Sequence, residues 1–430
     1  MMKVTRFWGV TLLLASLAAG AQAGQLRAGA ARAEITPGTE VFPYTAKGER
    51  SFVGVHDPVY ARALILDDGQ NRAVIVAVEV TAIPDSAALV KALAAEAGTA
   101  ESSVLVTATH THNVLLVSYH GGEPDAAQAR EIERVRTGAL EAVRQAKANL
   151  QPAKIAAGRG EAWANVNNGE QAGMKSGYDP AGTSDKTLDV VRVETVKGEA
   201  IALLINYATH AEVMFRSATR DDGYEVSGDL PGAVSQMLEA APAAAQVVLF
   251  TSGAEADQLP LFKSLQPAGR LKAADEGAAG WALLDVLARR VADAALGVVE
   301  KMHEGAADVR IEAAATTVSC PGKRPWGDPA KGSPEARPPV AIPISVIRIN
   351  DIALAGVAGD VGSQIGHSFR TASPVAHSVF ISMMAGSVGY IVADDAYENP
   401  GHGVMGSPLK PGCAEHAIVD GLVQLLKDKP

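Results

Sequence analysis

The strongest constraint in this chain is a set of short apolar runs that each stop on a residue with chemistry. Val104-Leu-Val-Thr-Ala-Thr leads into His110-Thr-His112, and Leu203-Leu-Ile-Asn-Tyr-Ala-Thr ends on His210. Ala353-Leu-Ala-Gly-Val-Ala-Gly ends on Asp360, Val247-Val-Leu-Phe-Thr-Ser-Gly runs into Glu255 and Asp257, and Val379-Phe-Ile-Ser-Met-Met leads to Gly389-Tyr390. Runs of this kind read as strands buried on both faces. Stretches of helical spacing alternate with them: Ser86–Ala97, Ala126–Leu150, Gly232–Ala241, Ala278–Met302 and Glu415–Leu426. The pattern predicts an α/β fold of mixed β-sheets flanked by helices. In such folds binding sites lie beyond the carboxyl ends of the strands, where these residues fall.

Two pairs of runs read as hairpins: Leu188–Thr195 with Ala200–Tyr207, and Ser345–Ile349 with Ile352–Val357 around Asn350-Asp351. Two stretches read as long loops, the polar Asn165–Asp185 and the proline-rich Pro321–Pro343, the latter taken as a surface excursion rather than a domain boundary. No internal repeat is visible in the sequence. The net charge of −10 argues against nucleic acid as the partner, since phosphate binding needs a basic face.

The start of the chain reads as a secretory signal peptide over 1–23. Lys3 and Arg6 precede a short apolar stretch from Phe7 to Ala19, and Ala21-Gln22-Ala23 supplies a cleavage site. This implies a periplasmic or secreted protein, with one domain over 24–430. No later stretch has the length and freedom from charge that a membrane span needs. Cys320 and Cys413 are the two cysteines. An oxidising compartment permits a disulfide between them, and two buried thiols account for them equally well.

His110 and His112 sit two apart on a strand and therefore face the same side. Two imidazoles, a carboxylate and a further oxygen donor suit Zn²⁺ with one position left open. The spacing is not a compact zinc motif, so these residues alone leave a metal site and merely solvated histidines both open.

The order of several motifs carries a resemblance. Ala33-Glu-Ile-Thr-Pro37, His56-Asp-Pro-Val-Tyr-Ala-Arg-Ala-Leu64, Thr109-His-Thr-His112, Asn206-Tyr-Ala-Thr-His210, Ser227-Gly-Asp-Leu-Pro-Gly232, Gly359-Asp360 and Gly389-Tyr390 together resemble the catalytic domain of the neutral/alkaline, non-lysosomal ceramidases. The resemblance runs through nearly all of the chain after the leader. It implies a ceramidase-like catalytic fold and one zinc held by His110, His210, Asp360 and Tyr390, with Asp360 standing where the family has a glutamate. His112 then lies behind the metal ligands or points at the substrate carbonyl. His402 stands where the family has a second tyrosine near that carbonyl. The family's serine, in its Gly-Asp-x-Ser-Pro element, falls on Leu259, which has no nucleophile to offer. An arginine expected near Asn167-Asn168 is missing, and the immunoglobulin-like C-terminal domain of the long ceramidases does not follow.

These readings imply a zinc hydrolase that cleaves an amide (N-acyl) bond of a small-molecule or lipid substrate with zinc-bound hydroxide. His112 and His402 would stabilise the oxyanion. Asp257 is the candidate general base or an orienting group, with a helix cap or loop carboxylate as its structural counterpart. The alternatives are a zinc esterase or other hydrolase of a small polar substrate, and a non-catalytic periplasmic binding protein on the same fold. His56 and His120 are placed near the pocket.

Overall fold

In the Tyr60–Asp67 run, Ala61, Ala63 and Ile65 pack into one apolar cluster while Leu64 and Leu66 pack into another. The strand is therefore covered on both faces, which is why its sequence does not alternate. This computed structural model describes residues 23–45, 50–115, 124–169, 177–241, 245–266, 274–326, 337–398 and 400–428. Residues 1–22, within the segment expected to be a leader, and His120 lie outside the described residues.

The main strands and helices, in chain order, are β1 (Arg27–Glu34), β2 (Tyr60–Asp67), β3 (Arg72–Val78), α1 (Ser86–Ala97), β4 (Val104–Ala108) and α2 (Ala126–Ala148). Next come β5 (Gln151–Glu161), β6 (Thr187–Thr195), β7 (Ala200–Tyr207), α3 (Asp229–Ala240), β8 (Val247–Ser252) and α4 (Gly280–Val299). The last set is β9 (Ile311–Gly322), β10 (Arg337–Ile349), β11 (Ile352–Val357), α5 (Ser363–Ala372), β12 (His377–Ile381) and α6 (Ala414–Lys427). Strands β8-β7-β6-β5-β1-β2-β3-β4 form an 8-stranded sheet, and β9-β10-β11-β12 form a 4-stranded one. The pairs β3–β4, β7–β8 and β11–β12 are parallel; the other neighbours are antiparallel.

The two sheets pack face to face. Leu64, Leu66, Ile75, Leu204 and Leu249 of the large sheet meet Ile347, Ile349, Leu354 and Ile381 of the small one. The outer face of the large sheet carries α1 and α2 on one half and α3 and α4 on the other. The outer face of the small sheet carries α5 and α6. The result is four layers: helices, sheet, sheet, helices.

The order of elements repeats three times: an antiparallel run of three strands, a helix, a fourth strand parallel to the third, and a second helix. The units are β1-β2-β3-α1-β4-α2, β5-β6-β7-α3-β8-α4 and β9-β10-β11-α5-β12-α6. The sequence hides this repeat because hydrophobic identity, rather than particular residues, is what each unit preserves.

Several strands carry too few branched residues to be read in advance. β1 is Arg-Ala-Gly-Ala-Ala-Arg-Ala-Glu, and β5 contains Ala156-Ala-Gly-Arg-Gly160. Small side chains serve close helix packing here. A Cβ at Gly29 would collide with the Ala146 carbonyl at the end of α2, and one at Gly158 would meet Met302 and Val298 at 2.8 Å. The proline-rich stretch is also shorter as a loop than its composition predicts. Pro338, Pro339 and Pro343 lie within β10, where Pro343 pairs opposite Thr317. Helix α3 starts at Asp229, three residues before the expected Gly232, because Asp229 adopts φ 49° and its carboxylate accepts the N–H groups of Leu230, Val213 and Met214. Cys320 and Cys413 form a disulfide that ties the end of β9 to the start of α6.

Candidate metal centre

The carboxyl ends of the three parallel strand pairs converge on one buried cluster. β7 ends at Tyr207, β11 at Val357 and β8 at Ser252, and three residues beyond them stand His210, Asp360 and Glu255. His110 follows β4 by two residues in the left-handed region, φ 62°, which turns its ring back over the strand end. All four side chains are buried.

Backbone carbonyls fix the two central imidazoles. His110 Nδ1 lies 2.7 Å from the Thr81 carbonyl, and His210 Nδ1 lies 2.9 Å from the Glu255 carbonyl. A carbonyl only accepts, so each Nδ1 carries a proton and each Nε2 faces inward, the arrangement that metal-ligating histidines use. Asp360 Oδ2 sits 3.4 Å from His210 Nε2 and 3.8 Å from His110 Nε2. His112 Nε2 lies 3.2 Å from His110 Nε2, while its Nδ1 faces Glu212 Oε1 at 3.5 Å. Glu212 is in turn held by Lys263 Nζ at 2.6 Å.

Electrostatics follow from this crowding. Burial works against a charged His210, but Asp360, then Glu212 and Glu255, outweigh it and raise the imidazole to about 10. Burial lowers His110 and, more strongly, His112, with Asp360 and Glu212 respectively offsetting part of the effect. Burial also penalises the Glu212 carboxylate, yet Lys263 and His112 hold it well below the usual range. Glu255 goes the other way: burial and the neighbouring Asp360 push it far up.

The donor set fits a divalent cation. Asp360 Oδ1 and both carboxylate oxygens of Glu255 are buried without a hydrogen-bond partner; the nearby Ser252 hydroxyl donates to the Thr109 carbonyl at 3.2 Å. Donor atoms of His110, His112 and His210 lie within 4.8 Å of one another, and so do those of His110, Glu255 and Asp360. Buried oxygens of this kind are costly unless a positive group meets them.

Tyr390 pairs with Asp360 in a two-residue parallel ladder, which brings it beside the cluster. Tyr390, Asp360 and His112 line a cavity of 250 Å³ together with Trp326, Val388 and His402. The His402 ring stands edge-on to Tyr390 at 5.5 Å and to Trp326 at 4.8 Å. Asp257 takes a different place from the expected base. Both its oxygens are occupied by Ser363, from the backbone N–H at 2.9 Å and the hydroxyl at 2.7 Å, so it caps the start of α5. Leu259 is buried in a short strand opposite Val166. His56 stacks on Trp281 at 3.6 Å.

Residues 27–256, more than half of the chain, match the neutral/alkaline non-lysosomal ceramidase family in its N-terminal part. The chain belongs to this family. Two solved ceramidases share its fold. A neutral ceramidase from Pseudomonas aeruginosa superposes with a TM-score of 0.75 at 17% identity, covering 94% of this chain and 75% of the other. A ceramidase complexed with C2 gives a TM-score of 0.72 at 17% identity over the same shares. No curated protein sequence matches the chain. Within the ceramidase-family fold, Glu255 and Glu212 are the site residues that motif reading passed over. The signal for Glu255 was present as a donor three residues past a buried strand, the same offset as His210 and Asp360.

Proposed function

We propose that this ceramidase-family chain is an exported, zinc-dependent hydrolase that cleaves the amide bond of an N-acyl substrate. The observation that carries the reading is the convergence of His110, His210 and Asp360, their Nε2 and carboxylate atoms turned to one another, beside a cavity open to Tyr390 and His402. His110, His210, Asp360 and Tyr390 would hold the metal. Zinc bound there would supply Lewis-acid polarisation of the acyl carbonyl and a water acidic near neutral pH.

The chain's own residues do the rest. Thr81 and the Glu255 carbonyl lock the tautomers of His110 and His210, so both rings arrive already oriented. Glu212, fixed by Lys263, faces His112 Nδ1 and favours a charged ring, and in that doubly protonated form the inward Nε2 would donate to the oxygen that gains charge at the acyl carbon. A donor in that role commonly supplies about 3–4 kcal/mol of transition-state stabilisation. His402 stands across the cavity as a second donor. Asp257 acts through Ser363, steadying the first turn after Asp360. Buried Leu259 leaves no side-chain nucleophile at its position, so the attacking oxygen comes from water. Export is supported by the leader-like 1–23 segment and by a disulfide, which persists in oxidising compartments.

The deciding experiment compares N-acyl lipids, N-acyl amino acids and simple esters on the zinc-loaded protein, with a chelated sample alongside. Chelator-sensitive release of a fatty acid from an N-acyl substrate is the expected result. Preference for the esters, or turnover indifferent to chelation, would overturn the reading.

A further inference from the structure

The Glu255 carboxylate is the group in the centre that none of the assigned roles uses. The residue is fully buried, and it is not attached to the cluster by accident of a flexible loop. Its backbone carbonyl holds His210 Nδ1 at 2.9 Å, and the Gln258 N–H bonds that carbonyl's residue at 2.8 Å, closing a tight turn after β8. That turn aims the carboxylate at His110 and Asp360, with donor atoms within 4.8 Å of one another. Among the described residues neither oxygen has a well-formed hydrogen bond, the neighbouring Ser252 hydroxyl being turned to the Thr109 carbonyl, and no arginine or lysine is paired with it; His210 is the neighbour that offsets its charge. A second carboxylate, Asp360, adds to the negative charge instead of relieving it.

We infer that Glu255 is itself a metal ligand, so that the centre holds two imidazoles and two carboxylates, His110, His210, Asp360 and Glu255, with Tyr390 as a further oxygen donor. The inference rests on the proposed metal-dependent function. It gives the site a neutral sum when a dication is bound, two carboxylates against two positive charges. It also makes the site harder than an imidazole-dominated one. Oxygen-rich sites accept Mn²⁺ more readily, whereas imidazole sites favour Zn²⁺.

The test measures Zn²⁺ and Mn²⁺ affinity by chelator competition, together with the visible spectrum of the Co²⁺-loaded protein, for wild type, Glu255→Gln and Glu131→Gln. Glu255→Gln should weaken both ions, by at least the roughly 10–100-fold that supporting groups alone command. Mn²⁺ should lose more than Zn²⁺, and the Co²⁺ spectrum should change. Glu131→Gln, at a buried glutamate of α2 outside the centre, should leave the Co²⁺ spectrum as in wild type. Wild-type affinities retained within about 2-fold by Glu255→Gln, with an unchanged Co²⁺ spectrum, would overturn the inference while leaving the metal site intact. Wild type failing to bind any of the three ions would instead overturn the functional reading beneath it. Should Glu255→Gln not fold, infrared difference spectra of wild type with and without zinc decide the matter. Two carboxylates changing on loading supports ligation by Glu255, and one overturns it.

Discussion

Two buried glutamates in this protein meet opposite fates. Glu79 follows β3 beneath the helix layer, and Glu255 follows β8 at the convergence of strand ends. Burial pushes both carboxyls up. Around Glu79 the chain supplies its own answer. Arg62 forms an ion pair with it, the Tyr60 N–H donates at 2.8 Å, and Arg62 Nε continues to Glu239 at 2.8 Å. Around Glu255, among the described residues, no arginine or lysine takes that part; its neighbours are Asp360 and the imidazoles. A buried carboxylate already balanced by arginine is part of the scaffold. One left unbalanced beside inward-facing imidazoles marks where a charge from outside the chain belongs.

The comparison breaks most visibly at His110. His110→Ala should abolish zinc binding and lower kcat/KM by more than about 10³-fold, since metal polarisation contributes several kcal/mol and each ~1.4 kcal/mol is a decade in rate. Metal analysis and kinetics on one preparation check this, and retained zinc would move the centre elsewhere. On the scaffold side, Arg62→Met should cost about 3–5 kcal/mol in urea unfolding with or without zinc, because it strands Glu79, while Glu239 keeps Arg32. Glu255→Gln should change metal-free stability by less than about 1 kcal/mol, as no partner is lost. Equal losses in the two variants would erase the distinction drawn here.

His112 tests how far the outward-answered region extends. His112→Ala should keep most of the zinc and lower kcat by about 10²-fold, as removal of an oxyanion donor does. Zinc loss as complete as in His110→Ala would make the ring a ligand. The smallest effect is in pH. His210 stands at about 10 in the metal-free fold, above the ~6.5 of an unfolded imidazole. Its contribution to metal-free stability is therefore complete below pH ~6.5 and is lost as pH rises toward about 10. Zinc must displace that proton, so zinc affinity should climb over the same interval, by up to about tenfold per pH unit. Calorimetry in buffers of different ionisation heat would read the released proton, and a flat profile would show that His210 enters neutral.

The buried branched strands β3, β4, β7, β8 and β11 were legible because each is apolar on both faces and ends on a polar residue. Helix α1 and the β6–β7 hairpin were readable from their spacing, whereas α5 was not read in advance. β1 and β5 were not, since their alanines and glycines answer to helices α2 and α4, and those contacts have no local signature. His110, His210 and Asp360 could be placed near one another from strand-end logic alone. Asp257 and Glu255 could not be told apart. They stand two residues apart, and only the turn after β8 sends one to cap α5 and the other inward.

The threefold order of elements has a consequence for how the centre is written into the backbone. The position three residues past the third strand of each unit is Thr81 in the first, His210 in the second and Asp360 in the third. Thr81 gives the cluster only its carbonyl, while its hydroxyl turns to Thr111. The same address is thus occupied three times by three different trades: a brace, a base and an acid. The path of the chain is shared among the copies, and what separates a supporting copy from a metal-holding one is a single side chain at a fixed distance from the end of a strand.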